Sequence, residues 1–464
     1  MKNPIRSALI AFSFVLPLAL VSAAHADKEA PPKSGPARDY KLPAATTFTL
    51  DNGLAVTLVP FGEVPRVEVD LVVRAGNVDE AADQVWLSTL TARLLQEGTA
   101  TKSAADVALA AARMGGSLDV STSGEKTELS ADVLSEFGPP MIELIAEVAE
   151  HPKLPESEVP RLKADMQRSL SVLLSQPHSL ADQKIAGLFY PGHSYGRFAP
   201  TPAIIEGFTV QKVKSFYEAF FGAARSHLYV VGRFDAPATE RAIRGAFGGW
   251  KAGSQPAFTP AKPTTARAVH LVDQRGAVQS VVLVGLPVID VGHPDAIKLA
   301  VANTLLGGYF SSRITSNIRE QKGYTYSPRS FVRDAIETSY WEESAEITTN
   351  VTGPALKEIF AEIKRLQTEA PTEAELRAVK SYMIGRFVLR NASREDIIDQ
   401  IAFIDLHRLP KDYLSTYVSK VLAVTPEEVR QVTAKYIDAG KATIVVVGDK
   451  KIIAEQLKPF GDIK

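Results

Sequence analysis

"LYVVG", residues 228–232, returns as "IVVVG" at residues 444–448, an offset of 216. Each reads as the closing strand of a longer pattern. Working outward, "TVQKV" at 209–213 matches "TPEEV" at 425–429, again 216 apart, and "IELIAEV" at 142–148 matches "KEIFAEI" at 357–363, 215 apart. The shared order is amphipathic helix, second helix, helix with Thr at its N-cap, closing strand. Three matches in one order at one spacing predict two homologous domains, over 45–250 and 268–464. Thr209 and Thr425 are the expected caps, because a hydroxyl can accept from the first free N–H groups of a helix. Between the two domains, "KAGSQPAFTPAKPTTAR" at 251–267 is poor in apolar residues and rich in Pro, Ala and Thr, which predicts an extended, exposed linker.

Local signals fill in each half. "FTLDNGLAVTLVP", residues 48–60, is strand, turn and strand about Asn52-Gly53. "VEVDLVVRAG" alternates as a third strand, and "SLDVSTSGEKTELSADVL" at 117–134 is a second hairpin. Helices are expected over about 83–97, 103–114, 135–150, 156–175, 180–188 and 209–221, and the half ends on the strand at 228–231. The fold class is α+β: two homologous domains, each a mostly antiparallel sheet with helices packed on one side. The strict βαβα rhythm of a doubly wound fold is missing.

Bulk properties narrow the chemistry. A formal charge of −1 over 464 residues gives no basic surplus for nucleic acid or an acidic membrane. With no cysteine, disulfides, thiolate metal sites and a Cys nucleophile are excluded together. Residues 1–26 open with Lys2 and Arg6, run apolar from Ala8 to about Val21 and end on Ala24-His25-Ala26, the form of a cleaved signal peptide and so of periplasmic export. An uncleaved anchor is the alternative. Residues 27–44 read as a flexible lead-in.

Seven histidines follow the signal, at 151, 178, 193, 227, 270, 293 and 407, and no two are three or four residues apart. There is no H-x-x-E-H, H-E-x-x-H, G-x-S-x-G or P-loop pattern. Two long polar side chains stand out instead in "IREQKGYTYS", residues 318–327. Arg319 belongs to a last helical turn, Gly323 is its stop, and Tyr326 follows in a β-prone run. Read without further context, Arg319 pairs with Glu320 or another exposed acid, and Tyr326 packs on the sheet edge.

"LDNGLAVTLVP", "VVRAGNVDE", "LLQEGTATKSA", "MGGSLDVSTS", "YPGHSYGR", "GAVQSVVLVG" and "LLGGYFSSRITSNIREQKGYTYS" occur in this order across residues 50–327. In that order the chain, over about 45–464, resembles the pitrilysin/insulinase-like metallopeptidases, the inverzincins, and within them the short bacterial members related to mitochondrial processing peptidase. The resemblance implies a zinc helix reading H-x-x-E-H shortly before a Gly-Thr pair. Counting back from Gly98-Thr99, the matching positions are Thr89, Ala92 and Arg93, so both histidines and the general base are lost. The further glutamate ligand falls near 168–171, where Arg, Ser, Leu and Ser stand. The chain is therefore expected to bind no cofactor itself.

The resemblance also implies an arginine and, seven residues on, a tyrosine that face the zinc across a closed chamber, hold the substrate backbone and stabilise the oxyanion. Arg319 and Tyr326 match that pair. Gly307 and Gly308, in "LLGGYFSSR", would let a peptide approach the backbone closely, unless they serve only as a helix C-cap. The implied role is the non-zinc subunit of a heteromeric periplasmic zinc endopeptidase, one half of a clam-shell closed by a zinc-bearing homologous subunit of H-x-x-E-H type. Zinc would sit on that partner, a peptide would be the substrate, and a homodimer is the state open to the chain alone. A catalytically inert peptide-binding or scaffold protein of the same fold is the alternative.

Overall fold

The computed structural model describes residues 40–464 apart from Leu42; the expected signal peptide and the lead-in up to residue 39 lie outside the described residues. The described chain builds two sheets. The first contains β1 (Thr46–Thr49), β2 (Ala55–Pro60), β3 (Arg66–Val73), β4 (Asp119–Thr122), β5 (Thr127–Leu134) and β6 (Ser226–Gly232), in the order β1-β2-β6-β3-β5-β4. The second contains β7 (Ala268–Asp273), β8 (Gln279–Val288), β9 (Arg329–Ala335), β10 (Thr338–Thr348) and β11 (Thr443–Gly448), in the order β7-β11-β8-β10-β9. With β1 set aside, the two orders are the same. Every pair is antiparallel except β2 with β6 and β7 with β11.

The local chemistry explains the elements. Gly53, at φ +94°, turns the β1–β2 connection, and the Asn52 amide donates to the carbonyls of Phe247 and Trp250 at 2.7 and 2.9 Å. Thr209 and Thr425 cap their helices as expected, accepting from Lys212 N and Glu428 N. The expected helix at 83–97 shortens to Leu87–Leu95. Its start is fixed by the Glu80 carboxylate, which accepts from the backbone of Trp86 and Ser88 and from the Ser88 hydroxyl. Beyond β6 the first half continues into a helix, Ala236–Phe247, and β11 is likewise followed by Lys450–Leu457. The sequence carried the signal for the first of these: Asp235 caps Ala238 N at 2.7 Å, and a proline sits in the first turn.

Most helices cover one face of each sheet. Val67, Val69, Leu71, Leu228 and Val230 point into that layer in the first half, and Val282, Val284, Ile444 and Val446 do so in the second. The opposite faces are apolar too, and each is covered by a helix from the other half. Val281, Leu283, Val445 and Val447 of the second sheet receive Ala181, Ile185 and Phe189 from the helix Pro177–Phe189. Val59, Val72, Tyr229 and Val231 of the first sheet receive Ile397 and Ile398 from the helix Arg394–Leu406. The two helices start 217 residues apart (394 minus 177), close to the sequence repeat. Between the halves, residues 251–266 form no helix or strand, but they are not wholly exposed as expected. Ala261 is buried with the helix Pro177–Phe189, and Thr264 N donates to Phe189 O at 2.8 Å.

Candidate functional site

The arginine and tyrosine sit where a helix hands over to a sheet edge. Residues Thr315–Gln321 wind as a π-helix, with Lys322 N donating to Asn317 O at 3.0 Å across five residues. Gly323, at φ +65°, ends the turn, a conformation that costs glycine little. Thr325 then bridges Ile347 at the end of β10, and its hydroxyl donates to Glu346 O at 2.6 Å. By the time the chain becomes β9, Arg329 opposes Ser344. Three residues, Tyr326, Ser327 and Pro328, thus face two, Ala345 and Glu346, and this extra residue is a β-bulge. Tyr326 stands in the bulge and is 77% exposed.

The structure brings Arg319 and Tyr326 together. The guanidinium carbon lies 4.7 Å from the Tyr326 ring centroid and 4.3 Å from that of Phe310, which is itself 62% exposed. The guanidinium thus lies within cation–π range of two rings. Its Nε lies 3.2 Å from Glu320 Oε1, one of the local pairings the sequence allowed. Phe310 was not singled out from the sequence; the ring becomes a neighbour of Arg319 only through the turn that follows Gly308. That turn is anchored by Arg313, which donates Nε and Nη2 to the two Glu375 oxygens at 2.9 and 3.2 Å. The Arg313 guanidinium, with the Thr372 cap of the helix Glu373–Leu389, holds the Glu375 carboxyl down at about 2.

Gly307 and Gly308 separate here. A Cβ on Gly307 would lie 2.6 Å from both Glu343 Oε2 and Ser330 Oγ, and the residue is buried. Its role is packing against β9 and β10, so the expected close approach of a peptide does not hold for Gly307. Glu343 beneath it has no hydrogen-bond partner, and burial pushes its carboxyl well above the usual carboxylate range. Gly308 is half-buried and lines a cavity of about 970 Å³ between the two halves. Arg319 and Tyr326 do not line that cavity.

Thr89, Ala92 and Arg93 lie on the helix Leu87–Leu95. Ala92 is packed in the first core, and Arg93 stands in the last turn. A hydroxyl, a methyl and a cation do not fit a zinc ion, which takes imidazole, carboxylate or thiolate donors. Among the described residues no group of three or more His, Asp or Glu is placed to hold a metal ion.

Two family models match the chain. Residues 62–197 match "Insulinase (Peptidase family M16)" and residues 207–383 match "Peptidase M16 inactive domain". Among curated relatives, an uncharacterized zinc protease of Mycobacterium tuberculosis is 26% identical over 92% of this chain and 99% of its own length. The uncharacterized zinc protease YmxG of Bacillus subtilis is 24% identical, over 74% of this chain and 83% of its own. The beta subunit of bovine mitochondrial-processing peptidase is 23% identical, over 91% and 87%. Among solved structures, a peptidase M16 inactive domain from Pseudomonas fluorescens superimposes with a TM-score of 0.80 at 22% identity, covering 87% of this chain and 98% of that one. A protease from Helicobacter pylori gives 0.81 at 22% identity, covering 88% and 100%.

Proposed function

The chain belongs to the insulinase-like peptidase family M16, and from that membership we propose that it is the non-zinc subunit of a two-chain zinc endopeptidase. The observation that carries the reading is the ring-clamped Arg319 beside an exposed Tyr326, on a chain whose own zinc positions hold Thr89, Ala92 and Arg93. A zinc-bearing homologous partner would supply the metal and the attacking water. This chain supplies the groups that hold the peptide and meet the charge. The Nη edge of Arg319 takes the carbonyl oxygen on which negative charge develops, and the Tyr326 hydroxyl donates a second bond. A preorganised donor at such a position is worth ~2.7–4 kcal/mol in the barrier in a studied case. Contact with the Phe310 and Tyr326 rings restricts the guanidinium before substrate arrives, so less ordering is needed at the moment of reaction. Export to the periplasm, resting on residues 1–26, is the proposed location.

The inert scaffold reading draws on the Arg319–Glu320 pair, since a guanidinium satisfied locally needs no substrate. A half-exposed pair of this kind contributes only about 0–1 kcal/mol and leaves the Nη atoms free to bind. The test mixes this chain with an H-x-x-E-H homologue, zinc and a quenched peptide. Activity is expected in the mixture and in neither chain alone. Arg319→Ala should lower kcat by about 10²–10³ with the assembly intact on gel filtration. Full activity of that variant would leave the scaffold reading standing. Stoichiometric zinc and peptide digestion by this chain alone would remove the proposal.

A further inference from the structure

We infer that the helix Arg394–Leu406, which the second half lends to the first sheet, is a pH-controlled latch: it stays seated while Glu68 and Asp70 beneath it carry protons and is released more often once they lose them. The inference goes beyond the functional reading above and does not rest on it.

The two lent helices sit on different ground. The helix Pro177–Phe189 covers Val281, Leu283, Val445 and Val447, and the buried Glu342 on that face accepts from Arg333 at 2.9 Å. Beneath the helix Arg394–Leu406 the acids lack such a partner. Glu68 lies between Asp132 of β5 and Val231 of β6, and Asp70 lies between Ser130 and Tyr229. Glu68 is 9% exposed and Asp70 2%. Among the described residues no hydrogen bond or ion pair reaches either side chain, and Asp70 Oδ1 is a buried oxygen without a partner. The nearby cations are engaged elsewhere. Arg66 and Arg394 both bind Asp132, at 3.1 and 2.7 Å. Lys126 binds Glu128 at 2.7 Å and approaches Asp399 to 4.0 Å. At the far end of the helix, Asp405 accepts from the Tyr229 hydroxyl at 2.8 Å and lies 3.1 Å from His227 Nδ1. Asp396 serves the helix cap with Ser393. The helix is thus tied at both ends, by Arg394 and Asp405, over a middle of Ile397, Ile398 and buried acid.

A carboxylate in that middle needs water or a cation, and it finds neither. Burial acts most strongly on both groups, and it pushes Glu68 up to about 7 and Asp70 well above the usual carboxylate range. Asp132 and Glu395 add to the push on Glu68, against Arg394 and Arg66. Glu68, Glu128 and Asp399 add to that on Asp70, against Lys126. The seated helix therefore holds protons that a lifted helix, with both carboxyls in water, gives up at about pH 4. Seating has its full strength below that pH and loses it as pH rises through about 7 for Glu68, and at higher pH for Asp70. Within this window each proton released weakens seating about tenfold per pH unit. The ties at Arg394 and Asp405 remain, so the change shows as a growing minor population. Gln400, Phe403 and Leu406 line the cavity between the halves, so each release lifts one of its walls.

Hydrogen exchange on the full chain at pH 5.5 and 7.5, with labelling times scaled to the intrinsic rate, tests the latch. Protection of residues 394–406 should fall by about tenfold or more between the two values, while the helix Thr352–Thr368, packed within its own half, keeps its protection. The double variant Glu68→Gln, Asp70→Asn should abolish the fall. Three results overturn the inference: no fall in the unaltered protein, an equal fall along the whole chain, or the same fall in the double variant. The last would place the titration on His227 beside Asp405. Should the double variant not fold, Asp399→Asn decides. Its side chain is 61% exposed, so the change needs no repacking, and it removes one of the charges that push Asp70 up. The fall should then shrink; a fall of unchanged size overturns the latch.

Discussion

Gly307 shows how much one missing methyl group decides. The Glu343 carboxyl and the Ser330 hydroxyl fill the space a Cβ would take, and both residues are themselves buried, on the neighbouring strands β10 and β9. Gly307→Ala should therefore destabilise the protein by about 1–3 kcal/mol, the range of overpacking in a filled core, read as a lower urea midpoint at unchanged slope. An unaltered midpoint would mean that the π-helical turn Thr304–Gly308 yields freely. The same scale sets what the sequence could reveal of the site. Arg319 and Tyr326 could be singled out because, seven residues apart in one stretch, they match the pair that the resemblance implies. Phe310 could not, because its place beside Arg319 depends on a turn whose path is set by the Arg313–Glu375 pair across 62 residues. The bulge at Tyr326 was hidden too, since it is a property of register between two strands.

Among elements, the helix Arg394–Leu406 and the sheet face it covers carry an unusual load of acid. Glu68 and Asp70 on β3, Glu128 and Asp132 on β5, and Glu395 and Asp399 on the helix meet Lys126, Arg66 and Arg394. Burial first, then Asp132 and Glu395, push the Glu68 carboxyl up to about 7, against the pull of Arg394 and Arg66. The folded chain thus holds a proton on Glu68 that the unfolded chain releases near pH 4.3. Between that pH and about 7 the fold loses stability as pH rises. Glu68→Gln removes the ionisation, so its melting temperature should exceed that of the unaltered protein at pH 8, and the gain should shrink toward pH 5. A gain independent of pH would point to packing and not to charge. Element positions were largely readable: caps at Thr209 and Thr425, the Asn52-Gly53 turn and the strand β3 match the structure, although β3 is buried on both faces and does not alternate in exposure. The exchange of helices was not. Ala181, Ile185 and Phe189 form an i, i+4, i+8 stripe that any apolar surface could cover, and nothing local says which sheet does so.

Across the whole molecule, that exchange decides what each half can do alone. Residues 40–250 in isolation would present Val59, Val72, Tyr229 and Val231 to water once Ile397 and Ile398 are gone. Residues 251–464 would likewise bare Val281, Leu283, Val445 and Val447 without the helix Pro177–Phe189. Each fully buried aliphatic side chain loses about 1.5–3 kcal/mol when its cover is removed. Four such residues amount to a loss comparable with the net stability of a domain, about 5–15 kcal/mol. The two segments read from the repeat therefore have separate sheets but not separate stability. Expressed alone, each should aggregate or melt without a cooperative transition. Refolded together, they should elute as one complex and regain a single transition by circular dichroism. A soluble, cooperatively melting monomer of 40–250 would show that the lent helices only decorate two self-sufficient domains. The cavity beside β9 would then lie at a loose joint, free to change width. If both halves need each other, that cavity has fixed walls, because residues of both halves line it.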